Sequence, residues 1–205
     1  MRIIEPYFII ESRVDGNYIL KQIEKAGRTA YKSEDQITMN SAVEFVEMIN
    51  KRGHHSVIEH ECVTVRIICD RGVTHEIVRH RLASYTQEST RYCNYTKGKF
   101  GAEITVIKPC FWNENDEKYI VWKETIHQLE ISYNKLIELG ASPQEARSVL
   151  PNSLKTEIVM TMNLREWKHF FKLRTSEGAH PQMREIAVPL LKEFQSKIPI
   201  IFDDL

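Results

Sequence analysis

The strongest constraint on the fold is one run of helical periodicity. Across residues 112–139, Tyr119, Trp122, Ile126, Leu129, Tyr133 and Leu136 recur at three- and four-residue steps, which lines up one face of an α-helix. Gly140 stands at the C′ position, where a glycine closes a helix. Ser142, Pro143, Gln144 and Glu145 form a capping box with proline at the first helical position, predicting a short helix to Leu150 that Pro151 ends. Two alternating segments flank this helical region. In residues 61–70, Val63, Val65, Ile67 and Cys69 share one face, with Thr64 and Arg66 on the other. Residues 154–162 set Leu154, Thr156, Ile158, Met160 and Met162 against Lys155, Glu157, Val159 and Thr161. Both segments read as strands.

The remaining segments complete a coarse map. Residues 2–13 alternate loosely and read as a strand, followed by a turn at Asp15 and Gly16. Residues 17–31 carry Leu20, Ile23 and Ala26 at helical spacing. Residues 41–51 form a second helix with Ala42, Phe45, Val46 and Ile49 on one face, capped by Asn40 or Ser41 and stopped by Gly53. Arg71 and Gly72 turn into a helix that ends near residue 79. Asn163, with Glu166 three residues on, caps a helix bearing Trp167, Phe170, Phe171 and Arg174, and residues 183–197 form a last amphipathic helix. Strands and helices do not alternate strictly, so the class is α+β. We expect a single domain over residues 1–205: a small, mainly antiparallel sheet flanked by helices, with one long helix near residues 113–139.

Charge and cysteine content exclude several functions. Lys+Arg and Asp+Glu are equal at 28 each, whereas nucleic-acid proteins usually carry a basic excess. No apolar run approaches the roughly 18 residues of a membrane span, and the N-terminus has an early acid, Glu5, and no signal-peptide pattern. A cytoplasmic protein with neither nucleic-acid nor membrane partners is expected. Cys62, Cys69, Cys93 and Cys110 form no C-x-x-C pair and read as separate reduced thiols.

The densest chemistry lies in residues 79–92. Arg79, His80, Arg81, Ser84, Tyr85, Ser89, Arg91 and Tyr92 share this window with one acid, Glu88, and no lysine. Arginine forks recognise phosphate and carbonyl groups bidentately, so the window suggests an anion site. It is equally a basic helix C-terminus, where Arg79, His80 and Arg81 would complement the macrodipole. His75, Glu76 and His80 nearly spell a zinc motif, but histidines five apart lie about 140° apart round a helix and do not converge; no metal is expected. There is no G-x-G-x-x-G and no Walker A sequence, so a nucleotide must be held by side chains and helix ends. No Ser-His-Asp arrangement can be read around Ser84 or Ser89.

The order of these segments resembles the flavin-dependent thymidylate synthases. Arg79-His80-Arg81, then seven residues, then Ser89 with Arg91 and Tyr92, is similar to that family's signature. So are Gly53-His54-His55-Ser56-Val57-Ile58-Glu59-His60, Arg147 before Leu150-Pro151, Asn163-Leu164-Arg165 and Leu173-Arg174. The resemblance runs over residues 1–190. It implies reductive methylation of dUMP to dTMP, with methylenetetrahydrofolate as carbon donor and FAD, reduced by NADPH or NADH, as hydride carrier. It further implies a homotetramer with active sites shared between subunits.

Residue by residue, the resemblance assigns catalysis to Arg174, whose guanidinium would favour the anionic uracil ring, and to Ser89, which would position that ring. It assigns FAD binding to Ser56, Arg79, His80, Arg81, Gln87, Asn163, Arg165 and His169. It assigns dUMP binding to Glu76, Arg79, Gln87, Glu88, Ser89, Thr90, Arg91, Arg147 and Arg174. The chain departs from the commonest pattern at His55, at Glu76 where a glutamine often meets the nucleotide, at His169 where asparagine is common, and through Thr86-Gln87-Glu88. The alternative reading is a non-catalytic nucleotide- or RNA-binding module in which Arg79, Arg81, Arg91, Tyr85 and Tyr92 clamp and stack.

Overall fold

A computed structural model describes residues 1–98, 101 and 103–205. In chain order the elements are β1 (Arg2–Ile4), β2 (Tyr7–Ile10), α1 (Gly16–Arg28), α2 (Ser41–Lys51), β3 (Cys62–Asp70), α3 (Arg71–Ile77), β4 (Ala83–Gln87), β5 (Thr105–Ile107), α4 (Glu117–Glu138), α5 (Pro143–Ala146), β6 (Lys155–Asn163), α6 (Leu164–Arg174) and α7 (Pro181–Lys197). Short 3-10 turns occupy Thr29–Tyr31, Glu34–Gln36, His55–His60 and Arg147–Val149. β1 and β5 pair in parallel, with Ile3 opposite Val106. The other four strands form a mainly antiparallel sheet in the order β2-β3-β6-β4. The class is α+β, as expected.

Most predicted elements are present, with four differences. The N-terminal strand is two strands in different sheets, broken at Glu5 and Pro6, because proline has no N–H for a ladder. Asp15 does not merely turn the chain: its side chain accepts from Tyr18 N–H and caps α1. The long helix begins at Glu117, not near residue 113, where Asp116 accepts from Lys118 N–H. Finally, α3 ends at Ile77, before the basic window. Arg79 to Arg81 therefore lie beyond a helix end, and residues 83–87 of the window are a strand that the sequence reading missed.

The chain divides into two compact units, each assembled from three segments. The first comprises Met1–Tyr7, Ile67–Arg79 and Thr86–Ile158. Its core gathers Tyr95, Ile104, Val106, Ala146 and Leu154 with Ile126 and Tyr133 of α4. The amino terminus is tied in at 2.8 Å from Glu103 and 3.0 Å from Glu130. Gly140, with φ +93°, closes α4 in the left-handed region. The capping box of α5 is formed, with Glu145 accepting from Ser142 N–H at 2.8 Å.

The second unit comprises Phe8–Arg66, His80–Tyr85 and Val159–Leu205. Its centre is an aromatic cluster of Trp167, Phe170, Phe171, Phe194 and Phe202, each at most 1% exposed. Burying each such ring contributes about 1.5–3 kcal/mol. Trp167 Nε1 donates to Val63 O at 3.0 Å, fixing α6 against β3. Lys168 is also buried, and its ammonium donates to Asn50 Oδ1, Ile201 O and Asp204 Oδ1. α6 is thus pinned along one side, which settles where its remaining side chains point.

Candidate active site

The sequence-predicted residues fall into two groups, one in each unit. In the second unit the anchor is the β6–α6 junction. Asn163 ends β6, and its Oδ1 accepts from Glu166 N–H at 2.9 Å, capping α6 as its sequence predicts. One turn on, the Glu166 carboxylate meets His80 Nδ1 at 3.3 Å. At the far end of the helix, Arg174 Nε donates to His80 Nε2 at 3.0 Å. His80 is only 4% exposed. Its ring packs edge-on to Phe170 at 4.9 Å and to His169 at 5.6 Å, and its carbonyl accepts from Tyr85 OH at 2.6 Å.

This environment sets charge states. Burial, then the Arg174 guanidinium and His169, push the His80 imidazole down to about 4, so it is neutral near pH 7. Burial raises Glu166 above the usual carboxylate range, partly opposed by His169. Burial likewise raises the Tyr85 phenol to about 12. His80, Glu166 and His169 place three potential ligand atoms within 4.8 Å of one another. However, a guanidinium already occupies His80 Nε2 and Glu166 already meets Nδ1, so the cation this cluster is built around is Arg174.

Around this core, His169 and Arg165 are exposed on α6, and Arg165 pairs with Glu59. Ser56 and Arg81 are exposed. His55 is lowered by burial and by Lys168 and Arg165.

The first unit holds the predicted nucleotide residues Glu76, Arg79, Gln87, Glu88, Ser89, Thr90, Arg91 and Arg147. Asp70 is buried, and its Oδ1 accepts from Val73 N–H at 2.7 Å to start α3. α3 carries Thr74 and the half-buried Glu76, and beyond it Arg79 Nε donates to His75 O at 3.3 Å. Gln87 Nε2 donates to Thr74 Oγ1 and Thr156 Oγ1, each at 3.2 Å. Glu88 accepts from Tyr95 OH at 3.0 Å and Lys155 Nζ at 2.9 Å. Burial and Glu88 raise the Tyr95 phenol strongly. Burial pulls Lys155 down, but hydrogen bonds to Glu157 and Glu88 outweigh it and leave Lys155 raised. Glu88 thus already satisfies neighbours of its own.

Ser89 is half-buried, and its Oγ accepts from Arg91 N–H at 3.3 Å. Its carbonyl accepts from Tyr92 and Cys93 N–H, each at 3.1 Å. Thr90 is buried. Arg91 is exposed, lies 5.3 Å over the Tyr92 ring and donates from Nε to Gln144 Oε1 at 3.2 Å. Arg147, also exposed, opens the 3-10 turn after α5.

Sequence reasoning missed Glu166 and Gln144 as members of these groups. Glu166 was visible only as the third residue of a capped helix, and Gln144 only as part of the α5 capping box. Their sequence spacing reports local helix starts, not what their side chains reach.

Comparison with known proteins identifies a family. A sequence model of the family described as "Thymidylate synthase complementing protein" matches residues 17–200. The chain is 37% identical over 172 residues to the flavin-dependent thymidylate synthase of Pyrococcus furiosus, covering 83% of this chain and 70% of that protein. It is 39% identical over 146 residues to the Pyrococcus abyssi protein of the same name, covering 71% and 59%. With the Geobacter sulfurreducens protein of that name it shares 33% identity over 186 residues, covering 87% and 78%. The alignments therefore span 59% to 78% of these relatives' own lengths. In fold it is similar to the Streptomyces cacaoi UMP/dUMP methylase PolB bound with 5-Br dUMP, at a TM-score of 0.79 and 21% identity, covering 99% of this chain and 96% of that one. A family match across residues 17–200, in a chain whose signature, cap and C-terminal arginine segments all fall where the fold gives them partners, means that this chain belongs to the flavin-dependent thymidylate synthase family.

Proposed function

We infer that this chain is an FAD-dependent thymidylate synthase that methylates dUMP to dTMP, drawing carbon from methylenetetrahydrofolate and reducing equivalents from NADPH or NADH. The observation that carries the reading is the Glu166–His80–Arg174 group, in which the buried His80 and Glu166 hold the half-buried Arg174 guanidinium in one orientation. Family membership supports the rest. The span of the family match over segments of both units supports reading residues 1–205 as one domain.

The donor set fits FAD. The chain lacks a glycine-rich dinucleotide turn, so the diphosphate falls to arginines, in the second unit Arg81 and Arg165, with Ser56, Asn163 and His169 as polar lining. The family resemblance also gives to FAD Arg79 and Gln87 of the first unit, and His80, whose two ring nitrogens are already engaged. Apart from His80, these are cationic or uncharged donors suited to a phosphorylated aromatic ligand. Bound FAD supplies the hydride that completes the methyl group. Arg174, directed at the uracil edge, would stabilise negative charge at N3 and O4 and so raise the nucleophilicity of C5. Ser89 positions the ring: among the described residues its Oγ makes one hydrogen bond, to Arg91 N–H, and no base activates it. Arg91 and Arg147 take the phosphate. Gln87, Thr90, Arg79, Glu76 and Glu88 frame the nucleotide, Glu88 through Tyr95 and Lys155.

We place the enzyme in the cytoplasm; among the described residues no helix is long and apolar enough to cross a membrane. We further propose a homotetramer in which the segment bearing Ser89 and Arg91 meets Arg174 of another subunit, since a long cofactor without an encoded cradle is most simply buried between chains. The test of function is anaerobic reduction of the flavin-loaded protein by NADPH or NADH, then addition of dUMP and methylenetetrahydrofolate. Flavin reoxidation with dTMP formation is expected. A protein that takes up no FAD would instead favour the nucleotide-binding module.

A further inference from the structure

We propose that Glu166 is a positioning residue for Arg174, acting through His80, which it holds as a single tautomer. The inference rests on the role given above to Arg174.

Arg174 fixes where the His80 proton lies. A guanidinium is charged at every accessible pH and has donors only. Arg174 Nε lies 3.0 Å from His80 Nε2, so that nitrogen must accept and carries no proton. A neutral imidazole with a bare Nε2 has its proton on Nδ1. The Nδ1–H therefore donates to Glu166 Oε1 at 3.3 Å, and the Glu166 oxygen accepts as a carboxylate. The opposite tautomer would set N–H against N–H at Arg174 and a bare lone pair against a carboxylate at Glu166, two repulsions in a pocket where His80 is 4% and Glu166 7% exposed.

Each member of this chain of contacts is fixed from outside. Glu166 sits one turn into α6, its N–H held by Asn163. The ring of His80 is wedged edge-on against Phe170, and the His80 carbonyl is held by Tyr85. Unlike Glu145 in α5, which reaches back to its own cap, Glu166 turns its carboxylate to His80. With Nε committed to the imidazole, rotation of the Arg174 guanidinium plane is restricted, and its terminal nitrogens keep one heading. A carboxylate that fixes a histidine which in turn fixes a reacting group recurs in enzymes; here the group fixed is an arginine.

The test is nitrogen-15 NMR of the flavin-loaded, histidine-labelled full chain, with the His80 signals assigned by their loss in His80→Gln. The wild type is expected to show a protonated Nδ1 and an unprotonated Nε2. Glu166→Gln, which keeps an acceptor, should preserve that pattern and most of the turnover. Glu166→Ala should lose the fixed Nδ1 proton and at least tenfold in kcat, with little change in dUMP KM. In an Arg174→Ala background, Glu166→Ala should cost nothing further, since residues acting as one unit are not additive. A proton on Nε2 in the wild type, or unaltered His80 signals in Glu166→Ala, overturns the proposal whatever the activity. Undiminished dTMP formation by Arg174→Ala overturns the role of Arg174 instead, and is distinguished by His80 signals that still show the bare Nε2.

Discussion

Arg91 shows how a side chain's neighbours sharpen a prediction. Its guanidinium is stacked over Tyr92 and held by Gln144, so its planar fork is already oriented, and lysine would keep the charge but lose both contacts. Arg91→Lys is expected to weaken dUMP binding by roughly 1.5–3 kcal/mol with FAD retained, measured by calorimetry; unchanged affinity would remove Arg91 from the phosphate. Ser89→Ala should keep measurable turnover, because its Oγ accepts a hydrogen bond from Arg91 N–H and meets no base among the described residues. Loss of all dTMP formation with both ligands still bound would make Ser89 a nucleophile. His80 predicts a pH dependence of stability. Its folded pKa lies near 4, below the ordinary 6.5, so the unfolded chain takes up a proton before the folded one does. The contribution is fully present above pH 6.5 and is lost as pH falls towards 4, at most on the order of 3 kcal/mol. Urea titrations at pH 7.5 and 5 should show a larger loss for the wild type than for His80→Gln, and equal losses would contradict the assignment. At this scale the sequence named His80 and Arg174 but not their contact, since 94 residues separate them and no local pattern encodes such a pairing.

Elements were the most legible scale, because their signals are local. The capping box at Ser142, the cap at Asn163, the left-handed stop at Gly140 and the alternation of residues 154–162 all appear as read. What failed was local in appearance but decided elsewhere. β4 carries a short, mostly polar Ala-Ser-Tyr-Thr-Gln sequence with no apolar alternation, and only pairing in the four-stranded sheet makes it a strand. Asn163 offers a separation of two roles within one element. Its Oδ1 caps α6, while its amide N–H₂ is the group assigned to FAD. Asn163→Asp keeps the capping oxygen and removes the donor, so it should hold thermal stability within about 0.5 kcal/mol yet bind FAD at least severalfold more weakly. Asn163→Ala should also lose about 1 kcal/mol of stability. If Asp and Ala variants bind FAD as the parent does, the residue is a cap and nothing more.

For the molecule as a whole, the division into two units of three interleaved segments was not legible, because only long-range pairing decides which segments join. The proposed sharing of sites makes its prediction here. Arg91→Ala and Arg174→Ala should each be nearly inactive alone, whereas co-expression should yield mixed tetramers in which some sites draw both wild-type contributions. dTMP formation should then recover clearly; no recovery, with mixed tetramers confirmed by mass spectrometry, would exclude sharing. A different consequence follows from α6, whose one side is locked in the aromatic cluster while Glu166, His169 and Arg174 lie along it. Trp167, Phe170 and Phe171 are fully buried, and a helix held that firmly cannot turn or slide to accommodate a changed core without carrying its polar residues along. Selection acting on the interior and selection acting on turnover therefore see the same eleven-residue helix. Its aromatic residues should be kept for the reaction's sake even in a lineage with stability to spare, and drift there should show first as an enzyme that folds but works poorly.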